Sequence, residues 1–189
     1  MRTAHSFLLF LVIYLAQSVS AKQKIENHQD AGSATPVRYT ISLFDLDRHL
    51  LHVHVEIPLG QAEHDLQLPV WNATYQVRDF AQYVNWLRAR TPGGRALDMR
   101  LLDKSRWHIS GAKGGAFVDY EIYADSAGPF GAQVNPHHAF LNLAEVLIYP
   151  VDDRSHKDVV SFEIPKEWHI ATPLPGPTFE AENYDRLVD

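Results

Sequence analysis

With 189 residues, 46% of them hydrophobic and 11% aromatic, the chain has the composition of an ordinary globular protein of one domain. Its formal net charge is -6 and its 17 lysines and arginines form no run, which argues against a nucleic-acid partner because phosphate binding needs clustered cations. The absence of cysteine excludes a disulfide framework, a thiol nucleophile and thiolate zinc sites.

The predicted elements start with an export signal. Arg2 precedes the apolar run 7–16 (FLLFLVIYLA), and a small-residue pattern follows that ends at Ala21. This predicts a signal peptide over residues 1–21, because the run is too short for a comfortable membrane span. The alternative is an uncleaved N-terminal anchor. No later segment is apolar enough to cross a bilayer, so we expect a mature protein exported to the periplasm or the extracellular space.

Apolar alternation begins after a polar stretch, residues 22–36, which we interpret as a flexible lead-in. Residues 37–43 alternate between apolar and polar side chains, the period-2 pattern of a half-buried strand. The chain then turns at 45–48, and residues 51–57 repeat the same pattern before Pro58. These two segments are the first strands of the predicted fold.

The next predicted segments are shorter. A charged loop at 61–65 leads into a short strand at 66–70. The apolar and aromatic segment 80–87 is compatible with helix or strand. The Thr-Pro-Gly-Gly turn at 91–94, followed by a strand at 97–102, favours a hairpin.

The clearest predicted hairpin has arms at 107–110 and 116–124, joined by the glycine-rich turn 111–115. Residues 126–138 follow as a long loop rich in glycine and proline. The alternation along the second arm is regular, which makes it a well-defined strand.

The last part of the predicted domain has short helical turns near 140–145 and strands at 146–149 and 159–164. Eight or nine short strands, with no internal repeat and no long amphipathic helix, predict an all-β fold with at most short helices. The expected architecture is an antiparallel β-sandwich or an open, curved sheet.

The eleven histidines raise the question of a metal site. His49, His52 and His54 are the tempting cluster, since residues two apart on a strand project from the same face. The alternative is that they are solvated residues of an outer face, continued by Glu56. The sequence supplies no clear third or fourth ligand, which favours the second interpretation. The pair at 137–138 lies in the predicted loop and carries no site.

Established catalytic motifs are absent from the sequence. There is no His-Glu-x-x-His or its inverted form, no Gly-x-Ser-x-Gly and no Gly-x-x-x-x-Gly-Lys-Ser/Thr. The glycines of 111–115 join two predicted strands, so we interpret them as a turn and not as a phosphate cradle. We therefore assign no catalytic, cofactor-binding or metal-binding residue in this chain.

Exposed aromatic rings stack on sugars, and the four tryptophans are candidates for such a platform: Trp71, Trp86, Trp107 and Trp168. Core packing explains the same residues with fewer assumptions. Asn72 begins a formal glycosylation sequon, which matters only in a eukaryotic secretory pathway.

The segment from Leu66 to Ala81, LQLPVWNATYQVRDFA, concentrates residues suited to a turn and a core. Pro69 is expected to end a strand, Trp71 and Tyr75 to anchor the loop, and Arg78 with Asp79 to fix the following turn by charge-assisted hydrogen bonds. We therefore predict a structural role for this segment.

This segment resembles the hallmark of the N-terminal domain of the glycyl aminopeptidases, zinc metallopeptidases that often also carry a PDZ domain. The resemblance runs from about Val37 to Asp189 and rests on further segments in the family's order: Thr91–Gly94, Trp107–Ile109, Val118–Tyr123, Val146–Tyr149 and Ile164–Trp168. One departure is the turn at 72–74, Asn-Ala-Thr, where the family usually has Pro-Gly.

Residues 179–189 look like the entry into the family's catalytic domain. The resemblance thus implies a β-sandwich domain over 37–172, followed at 173–189 by a linker and the start of a missing catalytic domain. On this interpretation Phe179, Tyr184 and Leu187 would pack against that absent domain.

The resemblance implies a non-catalytic domain that packs against a peptidase catalytic domain, in cis or on another chain, and helps shape its peptide-binding cleft. Zinc would sit in the catalytic domain, and this chain alone should not hydrolyse peptides. Two alternatives are an exported stand-alone module that binds carbohydrate or a partner protein, and a metal-binding protein that uses His52 and His54.

Overall fold

Short strands of alternating burial make up most of the computed structural model, which describes residues 35–70, 77–128, 130–176 and 178–189. The strands are β1 (Val37–Asp45), β2 (Leu50–Ile57), β3 (Glu63–Gln67), β4 (Val84–Arg90), β5 (Asp98–Asp103), β6 (Arg106–Ser110), β7 (Ala116–Tyr123), β8 (Gln133–Val134), β9 (Ala139–Phe140), β10 (Tyr149–Pro150), β11 (Asp158–Glu163) and β12 (Phe179–Ala181). The helices are α1 (Leu143–Val146) and α2 (Tyr184–Val188), with 3₁₀ turns at Leu46–Arg48, Phe80–Tyr83 and Val151–Asp153. None of these described helices is long and apolar enough to cross a membrane.

The strands form two main sheets. A six-stranded sheet has the order β12-β11-β1-β2-β7-β4, and a four-stranded sheet has the order β10-β3-β6-β5. Strands β1 and β11 pair in parallel, with Val37 beside Asp158, whereas the other pairs are antiparallel. The all-β prediction is confirmed. The strands beyond the eight or nine expected are pieces of two or three residues, too short to give an alternation signal.

Buried apolar residues of both sheets belong to one hydrophobic cluster. In the six-stranded sheet Tyr39, Ile41 and Val53 are at most 1% exposed, and in the four-stranded sheet Leu66 and Ile109 are equally buried. These residues alternate with polar ones along each strand, as the period of two requires. The predicted strands at 37–43 and 51–57 therefore face the core as expected.

One predicted hairpin is wrong in its pairing, and the other is short. β6 and β7 do not pair: β6 lies between β3 and β5, and β7 lies between β2 and β4. The glycine-rich turn between them carries the chain from one sheet to the other. The turn at 91–94 does reverse the chain into a short hairpin. Arg90 and Ala96 form a bridge, and the amide of Leu97 donates to the carbonyl of Ala89 at 2.9 Å. Beyond these residues the two arms separate, and β4 and β5 belong to different sheets. A turn sequence indicates a reversal of the chain and does not specify which strand becomes the neighbour.

β3 is shifted from the expected position. The strand runs from Glu63 to Gln67, through the predicted loop at 61–65, and pairs with β6. His64, Leu66 and Leu68 are all at most 1% exposed, so a histidine occupies an inward position and hides the start of the alternation.

The segment 146–150, at the end of α1 and after it, is buried, but most of its residues do not pair with a neighbouring strand. Only Tyr149 and Pro150 pair with β3, although a strand was predicted from 146. The Tyr120 hydroxyl donates to the carbonyl of Val146 at 2.8 Å and accepts from the amide of Ile148 at 2.9 Å. The Tyr184 hydroxyl donates to the carbonyl of Leu147 at 2.7 Å. Side-chain hydroxyls thus replace the missing strand partner.

The C-terminal segment packs on this same core, so the expectation that its apolar residues await another domain is wrong. Phe179 contacts Phe162 edge-to-face, with ring centroids 5.5 Å apart. Tyr184 and Leu187 are each only 2% exposed and belong to the main cluster. A sequence shows that such residues need burial, but it does not show that β12 turns back and pairs with β11.

Gly115 tests the crossing from one sheet to the other. Its φ is +92°, and a Cβ would lie 3.0 Å from the carbonyl oxygen of Ile57, whereas a Cβ on Gly114 meets nothing within 4 Å. We expect Gly115→Ala to lower the free energy of unfolding by about 1–3 kcal/mol, because strain and crowding act together. Urea unfolding measures the loss. Gly114→Ala is the matched control, and equal effects from both variants would contradict this account.

The buried hydroxyl of Tyr120 offers a second test. Tyr120→Phe keeps the ring but leaves the carbonyl of Val146 and the amide of Ile148 without their partner. We expect a loss of about 1–3 kcal/mol in the free energy of unfolding, since unsatisfied buried polar groups are costly. Tyr123→Phe, at an exposed tyrosine of the same strand, should have little effect. Unchanged stability of Tyr120→Phe would show that the two backbone groups find other partners.

Candidate functional site

The outer surface of the six-stranded sheet carries the histidines singled out in the sequence. We call this surface the polar face and define it by residues of β2, β7 and β4: His52, His54, Glu56, Asp119, Glu121, Trp86, Arg88 and Arg90. These positions alternate with buried ones, such as Val53, Val55 and Ala89, so they point away from the core.

One row of the polar face is centred on Asp119. Its Oδ1 lies 2.6 Å from Nδ1 of His54, and its Oδ2 accepts from Nε of Arg90 at 3.2 Å. The ring of Phe117 contacts both partners, edge-to-face with His54 at 5.1 Å and under the Arg90 guanidinium at 4.8 Å. Both carboxylate oxygens of Asp119 are thus already occupied by side chains of neighbouring strands.

A second row is centred on Glu121. Its Oε2 lies 3.2 Å from Nε2 of His52, and its Oε1 accepts from Nδ2 of Asn85 at 2.8 Å. The indole of Trp86 lies 6.0 Å from the His52 ring, and the Arg88 guanidinium lies 5.1 Å from the indole. The two rows repeat one arrangement, in which a central β7 carboxylate joins a histidine of β2 to a polar side chain of β4.

These contacts favour the interpretation of His52 and His54 as outer-face residues. Each histidine faces a carboxylate of β7, and His49 lies apart from them. His49 has a left-handed backbone, with φ 56°, and its Nδ1 contacts the carbonyl of Val134 at 2.6 Å. In the part of the chain that the structure describes, no group of three or more histidines and carboxylates is arranged to hold a metal ion.

The described tryptophans do not form a common platform. Trp107 is 9% exposed and belongs to the core, Trp168 packs against the core from the side, and only Trp86 lies on the polar face. Trp71 and the Asn72 sequon lie outside the described residues. His137 and His138 belong to an exposed turn, where both backbone amides donate to Oδ1 of Asn135.

The hallmark segment is described on both sides of residues 71–76, which include Trp71 and Tyr75. The amide of Arg78 donates to the carbonyl of Val70 at 2.7 Å, which ties the two sides together. The Arg78 guanidinium lies 4.7 Å from the Phe130 ring centroid. At Asp79 the backbone carbonyl, not the carboxylate, accepts the turn's hydrogen bonds, from the amide and Nε2 of Gln82. The Asp79 carboxylate also lies 3.9 Å from Nζ of Lys104. These described contacts agree with a structural role for the segment.

Two buried titratable groups were not predicted. His64 and Asp158 are each 1% exposed, and within the described residues neither ring nitrogen of His64 nor Oδ2 of Asp158 has a hydrogen-bond partner. Burial lowers the pKa of His64, against the nearby charges of Asp153 and Asp152. Burial and then the charge of Asp153 raise the pKa of Asp158 to about 7. The only sequence signal is that each residue falls in phase with the inward positions of its strand.

Comparison with known proteins gives the domain its family. The family model described as the Peptidase M61 N-terminal domain matches residues 38–189. A solved structure, an aminopeptidase N family protein from Idiomarina loihiensis, is similar with a TM-score of 0.71 and 25% sequence identity. The match covers 81% of this chain and 28% of that chain. No curated protein matches. The chain therefore belongs to the peptidase family M61, the glycyl aminopeptidases, through the N-terminal domain of that family.

Proposed function

We propose that this chain is the non-catalytic N-terminal domain of a glycyl aminopeptidase-like zinc metallopeptidase. The observation that carries the proposal is the match of the N-terminal domain model over residues 38–189. The similar aminopeptidase N family structure supports it, because the matched part is 28% of that chain and most of that protein lies beyond it. On this proposal, zinc and the peptide-cleaving groups belong to a catalytic domain, in cis or on another chain, and the protein is exported.

Strand β5 provides a surface for such a partner. It is the edge of the four-stranded sheet, and all six of its residues are exposed. Met99 and Leu101 pair with Ile109 and Trp107 of β6, so they lie on the core-facing side of the sheet. Yet they are 39% and 59% exposed. An apolar row that continues past the covered core is typical of an interface between domains.

The catalytic domain, packed against β5, would place the edge of the four-stranded sheet beside its substrate cleft. The charged ends of the strand, Asp98 and Asp103, would then frame the apolar contact as a polar rim. This is the role we propose for the domain: it holds and borders the cleft, and the peptide chemistry takes place elsewhere.

A peptidase assay tests the absence of catalysis in this chain. Purified residues 22–189 should not release the amino acid from glycyl or alanyl aminoacyl substrates, with or without added zinc, because the sequence holds no His-Glu-x-x-His motif. Release of product is followed by absorbance. Zinc-dependent turnover that survives repurification, and disappears in a His52→Ala or His54→Ala variant, would overturn the proposal and restore the metal-site alternative.

A binding experiment tests the docking surface. The partner is a His-Glu-x-x-His region, sought in all three frames of the DNA beyond the codon for Asp189 and expressed as a separate chain. We expect Leu101→Asp to weaken binding of the partner at least tenfold, since it places a charge in an apolar contact. Calorimetric titration measures the affinity.

The matched control is Leu59→Asp, at a leucine that is 79% exposed in the turn between β2 and β3. It should bind the partner like the parent chain, and both variants should melt like the parent. Equal binding by the Leu101 and Leu59 variants would exclude β5 as the interface.

A further inference from the structure

Asp158 occupies an inward position where the C-terminal segment joins the sheet. It begins β11, between Val37 of β1 and Ala181 of β12. It is 1% exposed, and within the described residues its Oδ2 has no hydrogen-bond partner. A carboxylate is costly in such a place when it is ionised, because neither water nor a donor among the described residues solvates Oδ2.

The groups that face Asp158 do not offer it a positive charge. Tyr39 of β1, Tyr184 of α2 and Asp153 of the third 3₁₀ turn interact with it electrostatically. Behind them, Tyr120 of β7 interacts with Tyr39 and Tyr184, His64 of β3 interacts with Asp153, and Nδ1 of His156 lies 3.0 Å from Oδ1 of Asp153.

The nearby cations belong to other pairs. Lys157 pairs with Glu180 of β12, and Arg154 pairs with Asp185 of α2. The two causes that act on the pKa of Asp158, burial and the charge of Asp153, both raise it, to about 7.

The C-terminal segment, residues 179–188, covers Asp158 from one side. β12 pairs with β11 over only three residues, and the amide of Tyr184 donates to the carbonyl of Arg154 at 3.2 Å. The Tyr184 ring stacks on Tyr149 with centroids 4.3 Å apart. If this segment leaves, β11 becomes an edge strand and Asp158 gains access to water. The ionised carboxylate is thus better tolerated in the released state than in the docked state.

We propose that ionisation of Asp158 loosens the C-terminal segment, β12 and α2, from the six-stranded sheet, so that docking of this segment responds to pH. The inference stands apart from the proposed function, because it concerns the domain itself. The docked state holds the proton of Asp158 more tightly than the released state does. The free energy of docking is therefore most favourable on the acid side, weakens as pH rises from about 4 to about 7, and does not change further above that.

His64 contributes with the opposite sign. Its pKa is lowered by burial, so the folded domain loses stability as pH falls below the ordinary histidine range. His64 lies on β3, in the other sheet. Its titration should therefore change the stability of the whole domain, and should leave unchanged the protection of the segment relative to that of β2 and β7.

Amide hydrogen exchange at pH 5.5 and pH 8, corrected for intrinsic rates, tests the proposal on the full chain. Protection of residues 179–188 should fall about 30-fold between the two pH values, if Asp158 titrates normally once released. Protection of β2 and β7 should change much less. In Asp158→Asn, which is isosteric and uncharged, the segment should be equally protected at both pH values.

Two controls separate charge at this site from other effects. Asp98→Asn, on the exposed strand β5, should keep the full pH response. Asp185→Asn removes the ion pair with Arg154, so it should weaken docking at both pH values. The ratio of the segment's protection at pH 5.5 to that at pH 8 should stay unchanged.

Several results would overturn the proposal: equal protection of the segment at both pH values, a pH response that persists in Asp158→Asn, or a parallel loss of protection in β2 and β7. If Asp158→Asn does not fold, the carboxyl carbon of Asp158 is followed by NMR in the parent chain. A midpoint near 7 supports the proposal, and one below 5 overturns it.

Discussion

The fold depends on how the buried segment from Val146 to Ile148 satisfies its backbone. These residues are at most 1% exposed and have no ladder partner of their own. Tyr120, from the middle of the six-stranded sheet, and Tyr184, from the C-terminal helix, supply hydroxyls to three of their backbone groups. The six-stranded sheet, the segment and the C-terminus are therefore joined by specific polar bonds inside an apolar core, which fixes their positions more sharply than apolar contact alone.

The same core includes the C-terminal segment. Tyr184 and Leu187 complete a cluster that would otherwise lose two of its most buried side chains. The polar face on the opposite side of the sheet has a different character, since its histidines and carboxylates are partly exposed and contact one another. Strand β5 differs from the core and from the polar face, because its apolar side chains lie on the core-facing side of the sheet but are exposed.

The sequence predicts the elements that are both regular and flanked by clear turns. β1, β2 and β7 follow from unbroken alternation, and their inward residues are those expected. The start of β3 was predicted too late in the chain, because His64 occupies an inward position where an apolar residue would have continued the alternation. The pairing of β6 and β7 was mistaken because a glycine-rich turn is local, whereas the choice of sheet depends on contacts with strands distant in sequence. The buried position of Asp158 was equally inaccessible, since it depends on the pairing of β11 with both β1 and β12. The carboxylate partners of His52 and His54 lie on β7, more than sixty residues away, which no spacing rule on β2 reveals.

The parallel pair of β1 and β11 joins positions 121 residues apart, such as Thr40 and Ser161. Closing so long a loop costs chain entropy before any pairing compensates it, so folds dominated by such contacts form slowly. During synthesis β1 and β2 leave the ribosome long before β11 exists, and one edge of β1 then remains open to any other strand. The order of the strands thus sets a period in which the nascent chain needs protection from wrong pairing, and that period ends only when β11 has been made.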